Sequence, residues 1–175
     1  MTVIHANDPT TRVLAQLYEG RGDVVAHLTE ENTNSEVTRA LKAADSLMML
    51  GHGNGNGLFS KPDRYGRPER FMIESRHVQF LRDKTCIGIW CFANKFAKTY
   101  GLHGLFSGMI VSELHEAVEN KIETTKEEVD AEIDLFTKRL KYCIEHYALE
   151  EVPAKMLALD TAHTPLTKFN YANLF

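Results

Sequence analysis

Residues 46–53 read SLMMLGHG: four apolar side chains in a row, Leu47 to Leu50, then glycine, histidine and glycine. A strand with one face in water alternates apolar with polar residues. An unbroken apolar run closed by Gly51 instead suits a strand buried on both faces, as in a parallel sheet covered by helices. Residues 85–91, TCIGIWC, repeat the pattern and end on Cys91. Both segments point to an α/β sheet of mainly parallel strands.

Working outward, Val3 to Ala6 is a short strand, followed by turn and cap chemistry at Asn7-Asp8-Pro9-Thr10 and a helical pattern through Val13, Leu14, Leu17 and Tyr18 that Gly20 stops. Asp23 to Leu28 reads as a second strand, and Asn34-Ser35 caps a helix through Val37, Ala40, Leu41 and Ala44. Residues 51–70 hold five of the eleven glycines and two of the five prolines, so a long loop with room for a small hairpin is expected there. Loops of that length are usually functional. Beyond it the pattern predicts a helix over Ile73 to Leu81, the strand Thr85 to Trp90, a helix over Ala93 to Tyr100 closed by Gly101, and a fifth strand over Leu105 to Val111. Val129, Ile133, Phe136, Leu140, Cys143, Ile144 and Tyr147 recur every three or four residues, which predicts a long amphipathic helix over Lys126 to Tyr147. Residues 148–175 are ambiguous. Lys155 to Leu159 suits a sixth strand or a short helix, and His163 to Phe175 an irregular tail.

Alternating strands and helices imply one domain over 1–175, a three-layer, doubly wound sheet of five to six strands with helices on both faces. Ligands in such sheets bind at the carboxyl ends of the strands.

The 175 residues carry 20 Lys+Arg against 24 Asp+Glu, a net charge of −4, and 43% hydrophobic residues. That composition excludes disorder and fibrous repeats, and it lacks the basic field that phosphate-neutralising nucleic-acid binders carry. No apolar run approaches the ~20 residues needed to cross a bilayer, and Met1 to Thr11 has no leader-like pattern. A cytoplasmic protein with neither nucleic acid nor membrane as partner is expected. Three cysteines, an odd number, favour reduced thiols over a disulfide framework.

Two of the chemistry-bearing residues stand where a site belongs. His52, between Gly51 and Gly53, follows one apolar strand, and Cys91 follows the other. Singly, a strand-end cysteine reads as a small core residue and a histidine among glycines as a turn residue. Jointly, on neighbouring strands, they would project an imidazole and a thiol from one sheet edge. A nearby imidazole and the N-terminus of the helix over Ala93 to Tyr100 would favour the thiolate, the nucleophilic form. The backbone N–H groups of Gly53 and Cys91 are candidate oxyanion donors. Cys86, five residues earlier in the same strand, faces the other way, and Cys143 falls on the apolar stripe of the long helix; both read as core. The glycine run 51–57 lacks the spacing and the Lys-Ser/Thr of a phosphate loop, which leaves nucleotide binding a distant alternative. No His, Cys or acidic set has metal-ligand spacing, so neither metal nor cofactor is expected.

SLMMLGHG and TCIGIWC, 39 residues apart from His52 to Cys91, resemble the two motifs of the caspase-like superfamily of cysteine peptidases. Its pattern is an apolar strand ending in His-Gly and a later apolar strand ending in the nucleophilic cysteine. The resemblance covers roughly residues 1–147. Trp90 is a departure that bears on the substrate pocket, since many members carry a small residue such as Ala before the cysteine. The resemblance implies a caspase-like fold and cleavage of a peptide or protein substrate by a His52/Cys91 dyad without an obligatory third residue. It also implies that part of the pocket for the residue before the scissile bond lies just after the fifth strand, here Ser112 and Glu113. A carboxylate there would favour a basic residue; Asp63 and Arg64 are weaker candidates. Members often pair through a sheet edge, which leaves a homodimer open. A catalytically inactive binding module on the same fold is the competing expectation.

Overall fold

A computed structural model describes residues 1–61 and 70–175. In chain order the main elements begin with β1 (Thr2–His5), a 3-10 helix (Pro9–Leu17), β2 (Ala26–Leu28), α1 (Asn34–Ala43), β3 (Ser46–Leu50), β4 (Gly53–Asn54), β5 (Gly57–Phe59) and β6 (Phe71–Glu74). They continue with a second 3-10 helix (Ser75–Phe80), β7 (Thr85–Ile89), α2 (Ala93–Tyr100), β8 (His103–Phe106), α3 (Leu114–Glu119), α4 (Lys126–His146), α5 (Val152–Leu159) and α6 (Pro165–Tyr171). Five strands form one sheet in the order β2-β1-β3-β7-β8, every pair parallel. The three short strands β4, β5 and β6 form a separate antiparallel sheet.

The apolar run of β3 is shared between two cores. Leu47 and Met49 face the layer that holds Val37 and Leu41 of α1 and Phe96 of α2. Met48 and Leu50 face the opposite layer, with Leu14 and Leu17 of the first 3-10 helix, Phe136 and Leu140 of α4 and Met156 of α5. The chain is therefore a three-layer α/β protein with a doubly wound parallel sheet, and period-two alternation explains why β3 needs no polar residue. No helix among the described residues is long and apolar enough to cross a membrane.

Several elements differ from their expected form. The helix expected over Ile73 to Leu81 is instead β6 followed by a 3-10 helix, because Phe71, Ile73 and Glu74 pair with β5 and continue its hairpin. The helix expected through Val13 to Tyr18 is a 3-10 helix entered at Pro9, with the Asp8 side chain accepting from the Thr10 N–H. The cap of α1 is Thr33, whose hydroxyl and the Glu36 carboxylate bond each other's backbone N–H groups. The fifth strand is β8, shifted toward the N-terminus of the expected Leu105 to Val111. Past Phe106 the chain turns to meet the C-terminal residues: Phe106 and Phe175 exchange two backbone hydrogen bonds (2.8 and 2.9 Å), and Gly108 N–H donates to Asn173 O (2.8 Å). Lys155 to Leu159 is helical, so the main sheet has five strands and not six, and the expected irregular tail contains α6. Asn170 of α6, fully buried, accepts from Val111 N–H (2.8 Å) and donates to Val111 O (3.1 Å), which fixes the segment after β8.

Candidate active site

β3 and β7 are direct neighbours, with Leu50 opposite Ile89, and the Gly51 N–H donates to Ile89 O (3.1 Å), carrying the ladder one step further. His52 and Cys91 each lie two residues beyond that last rung and leave the sheet at the same edge. Gly51 has φ +136°, a conformation open to glycine that turns the chain at this point. His52 and Cys91 line one cleft together with Thr10, Ile110 and Ser112. Its volume is about 30 Å³, close to that of one water molecule.

His52 is tightly wired on one side. Its Nε2 lies 2.7 Å from Thr10 Oγ1, and that hydroxyl donates its one proton to Asp8 Oδ1 (2.9 Å). Thr10 can therefore only accept from the ring, which places the ring proton on Nε2 and leaves the lone pair on Nδ1. Asp8 Oδ2 is 3.8 Å from Nε2, buried and without a hydrogen-bond partner. An imidazolium formed by proton uptake at Nδ1 would find its counter-charge there. Asp8 and Thr10 belong to the segment read from sequence as turn and cap; the signal available was its position, directly after the C-terminal end of β1 and hence at the same sheet edge.

Cys91 differs from its expected state. Burial pushes its thiol up to about 12, the Glu116 carboxylate adds to the rise, and the Ile110 backbone N–H opposes it. Among the described residues the His52 ring bonds to Thr10 and not to the thiol. The N-terminus of α2, expected to favour the thiolate, has its donors engaged elsewhere: Phe92 N–H bonds Gly108 O (3.0 Å) and Asn94 N–H bonds Ser107 O (2.9 Å). The thiol is thus held in its neutral form, in one cleft with an imidazole that is bonded to Thr10. Phe92 has φ +65°, a costly conformation for an aromatic residue and the sharp turn that sends Cys91 away from the helix that follows.

Both expected oxyanion donors are uncommitted among the described residues. Cys91 N–H has no acceptor. Gly53 pairs with Leu58 while Phe59 N–H bonds His52 O (2.8 Å), so Gly53 occupies a non-hydrogen-bonded position of the hairpin. A Cβ at position 53 would collide with the Trp90 indole and with Gly57 O. Trp90 is 2% exposed and packs in the core, and its Nε1–H donates to Asn54 O (3.1 Å), clamping the β4–β5 hairpin to the end of β7.

Ser112 reaches the cleft, while Glu113 lines an adjoining one of about 520 Å³ that shares Thr10, Val13, Ser112 and Ile133. Glu113 Oε2 lies 3.7 Å from His115 Nδ1. Glu116, buried, accepts from Ser112 N–H (2.8 Å), Ser112 Oγ (3.1 Å) and Glu113 N–H (3.0 Å), and so sets the position of both. Asp63 and Arg64 lie outside the described residues. The glycine run 51–57 leads into the β4–β5 hairpin and not a helix, so it lacks the helix N-terminus that a phosphate loop uses. Cys86 and Cys143 are buried in the two cores as expected. Among the described residues no group of three or more His, Cys, Asp or Glu is arranged to hold a metal ion. Compared with known protein families, with curated proteins and with solved structures, the chain matches none.

Proposed function

We propose that this chain is a caspase-like cysteine peptidase that hydrolyses peptide bonds with Cys91 as nucleophile and His52 as base and acid. The supporting observation is the convergence of His52 and Cys91 on one cleft at the carboxyl ends of adjacent parallel strands, with His52 Nδ1 and the Cys91 N–H unbonded among the described residues. In this reading His52 Nδ1 takes the thiol proton as sulfur attacks the scissile carbonyl carbon. The N–H groups of Gly53 and Cys91 hold the resulting oxyanion. Collapse breaks the C–N bond, the imidazolium gives its proton to the leaving amine, and a thioester remains. Water, deprotonated by His52, hydrolyses the thioester to a carboxylic acid and restores the thiol. Asp8 and Thr10 hold the imidazolium throughout. Ser112 and Glu113 border the space for the side chain before the scissile bond, and Glu113 would favour a basic or polar one there. Three free thiols suit a reducing cytoplasm.

A second reading, a binding module without turnover, is favoured by the volume of the cleft and by a thiol held in its neutral form. A peptide library read by mass spectrometry separates the two. Cleavage by the wild type that disappears in Cys91→Ala and in His52→Ala supports the peptidase. Absence of cleavage together with a thiol inert to peptidyl acyloxymethyl ketones supports the module.

A further inference from the structure

A second pocket, of about 400 Å³, lies between α4 and the start of α6 and shares no lining residue with the His52/Cys91 cleft. Glu132 of α4 lines it. This side chain is 8% exposed, and its Oε1 is enclosed without a hydrogen-bond partner. A buried carboxylate oxygen in that state is costly unless something supplies a partner. Among the described residues nothing does. Arg139, the cation that acts on it, donates through Nη1 to Tyr171 OH (2.7 Å) and not to Glu132. Burial pushes the Glu132 carboxyl up to about 7, with Asp160 reinforcing that rise and Arg139 opposing it.

The rest of the lining points the same way. Glu123 and Glu128 add two carboxylates, and no Lys, Arg or His lines the pocket. The Glu128 carboxylate already accepts from Thr124 Oγ1 and Thr125 N–H (both 2.9 Å), so it contributes charge and little bonding capacity, which leaves Glu132 as the contact atom source. The walls are aliphatic: Ala131, Leu135, Pro165 and Leu166. Leu135 is 41% exposed at the rim. An apolar channel of small-molecule size with the unpartnered Glu132 carboxyl in its wall and two further carboxylates beside it matches a methylene chain tipped with an N–H donor cation.

We infer that this pocket binds a primary alkylammonium group, with Glu132 as its ion-pair partner and the α4 and α6 aliphatic side chains against its methylenes. The group is either a free amine or the side chain of a lysine in another polypeptide. The inference is independent of the peptidase reading.

The test is a titration of the full chain, followed by backbone amide NMR, with 1,5-diaminopentane and separately with Nα-acetyl-lysine methylamide; sodium pentanoate is the control. Saturable shifts at Glu132, Leu135, Leu166 and Thr167 are expected with at least one amine and not with pentanoate. Binding is expected to weaken at least tenfold in Glu132→Gln. Glu123→Gln, at the rim, should weaken it only a few-fold. Leu135→Lys, which supplies an ammonium from the rim itself, should also block it, so the conclusion does not hang on one variant. Tighter binding of the blocked lysine assigns the polypeptide source, and tighter binding of the diamine assigns the free amine; either ranking supports the inference. It is overturned by the absence of saturable shifts at these amides up to about 10 mM of either amine, or by equal affinity in wild type and Glu132→Gln.

Discussion

On the β3 side of the cleft, His52 is held through Thr10 by Asp8, and one ring nitrogen is left over for proton transfer. On the β7 side, Cys91 keeps its proton, pressed by burial and by the nearby Glu116 charge. In the proposed reaction the base is organised in advance and the nucleophile is not. A neutral thiol of this kind makes its thiolate only when its proton moves away, so the proposed chemistry depends on a carbonyl arriving within reach of sulfur. A preformed thiolate would react with any electrophile. The difference teaches that, in the proposed reaction, what enters the cleft would govern reactivity, and each side can be perturbed separately.

The largest effect is expected from removing either partner. Cys91→Ala should bring peptide cleavage down to background, and His52→Ala should lower kcat/KM by about 10²–10⁴-fold, the usual span for a general acid-base group. Equal loss in both variants with unchanged Tm marks a functional pair.

Next comes the wall behind the thiol. Asn170→Ala strips both hydrogen bonds from Val111 and leaves two buried backbone groups unpartnered, at a cost of about 2–4 kcal/mol. Calorimetry should show a fall in Tm of several degrees, and iodoacetamide should reach Cys91 faster as the Ile110–Ser112 segment loosens. A variant as stable as the wild type would separate this wall from the thiol's burial.

The β3 side is sharpened by Asp8→Asn. Asparagine keeps an oxygen for the Thr10 N–H but removes the counter-charge 3.8 Å from Nε2. A loss of about 10–100-fold in kcat, with KM little changed, is expected.

The smallest effect tests the β7 side by pH. Alkylation follows the thiolate fraction, so with the thiol held up to about 12 the wild-type rate should climb roughly tenfold per pH unit from pH 8 to 11. Unfolded chain should level off near the ordinary cysteine value, about 8.5. Glu116→Gln removes the anion while keeping an acceptor for Ser112 and Glu113. Its profile should move to lower pH, a few-fold faster at any fixed pH below the plateau. A profile identical to wild type would leave burial as the sole cause of the protonated state.

The parts of this architecture that announce themselves in sequence share a physical cause. β3 is continuous apolar residues because two helical layers cover it, and α4 carries a three-four stripe because one of its faces packs against the sheet. Each pattern follows from burial by its own element. LFSGMIV is strand-like in sequence, whereas the path of the segment after β8 is settled by Asn170 and Asn173, about sixty residues further on in the chain. FMIE likewise carries no sign that β5 waits beside it. At the site, the positions of His52 and Cys91 were legible because strands end there. The state of Cys91 was not, because Glu116 and Ile110 reach it only through folding. Asp8 was visible only as a helix cap, and its free oxygen acquires a meaning when β1 and β3 lie side by side.

The pairing of the last residues with β8 carries one more consequence. Phe106 is on the outermost strand, and its outward backbone N–H and C=O are both taken by Phe175, with Gly108 bound to Asn173. Residues 173–175 thus cover the sheet border at Phe106 and just beyond it. Unsatisfied strand borders recruit other chains, so shortening the protein by residues 173–175 would bare a template for self-association. Loss of a single sharp sedimentation boundary in that truncation would be the sign that three residues keep copies of this molecule apart.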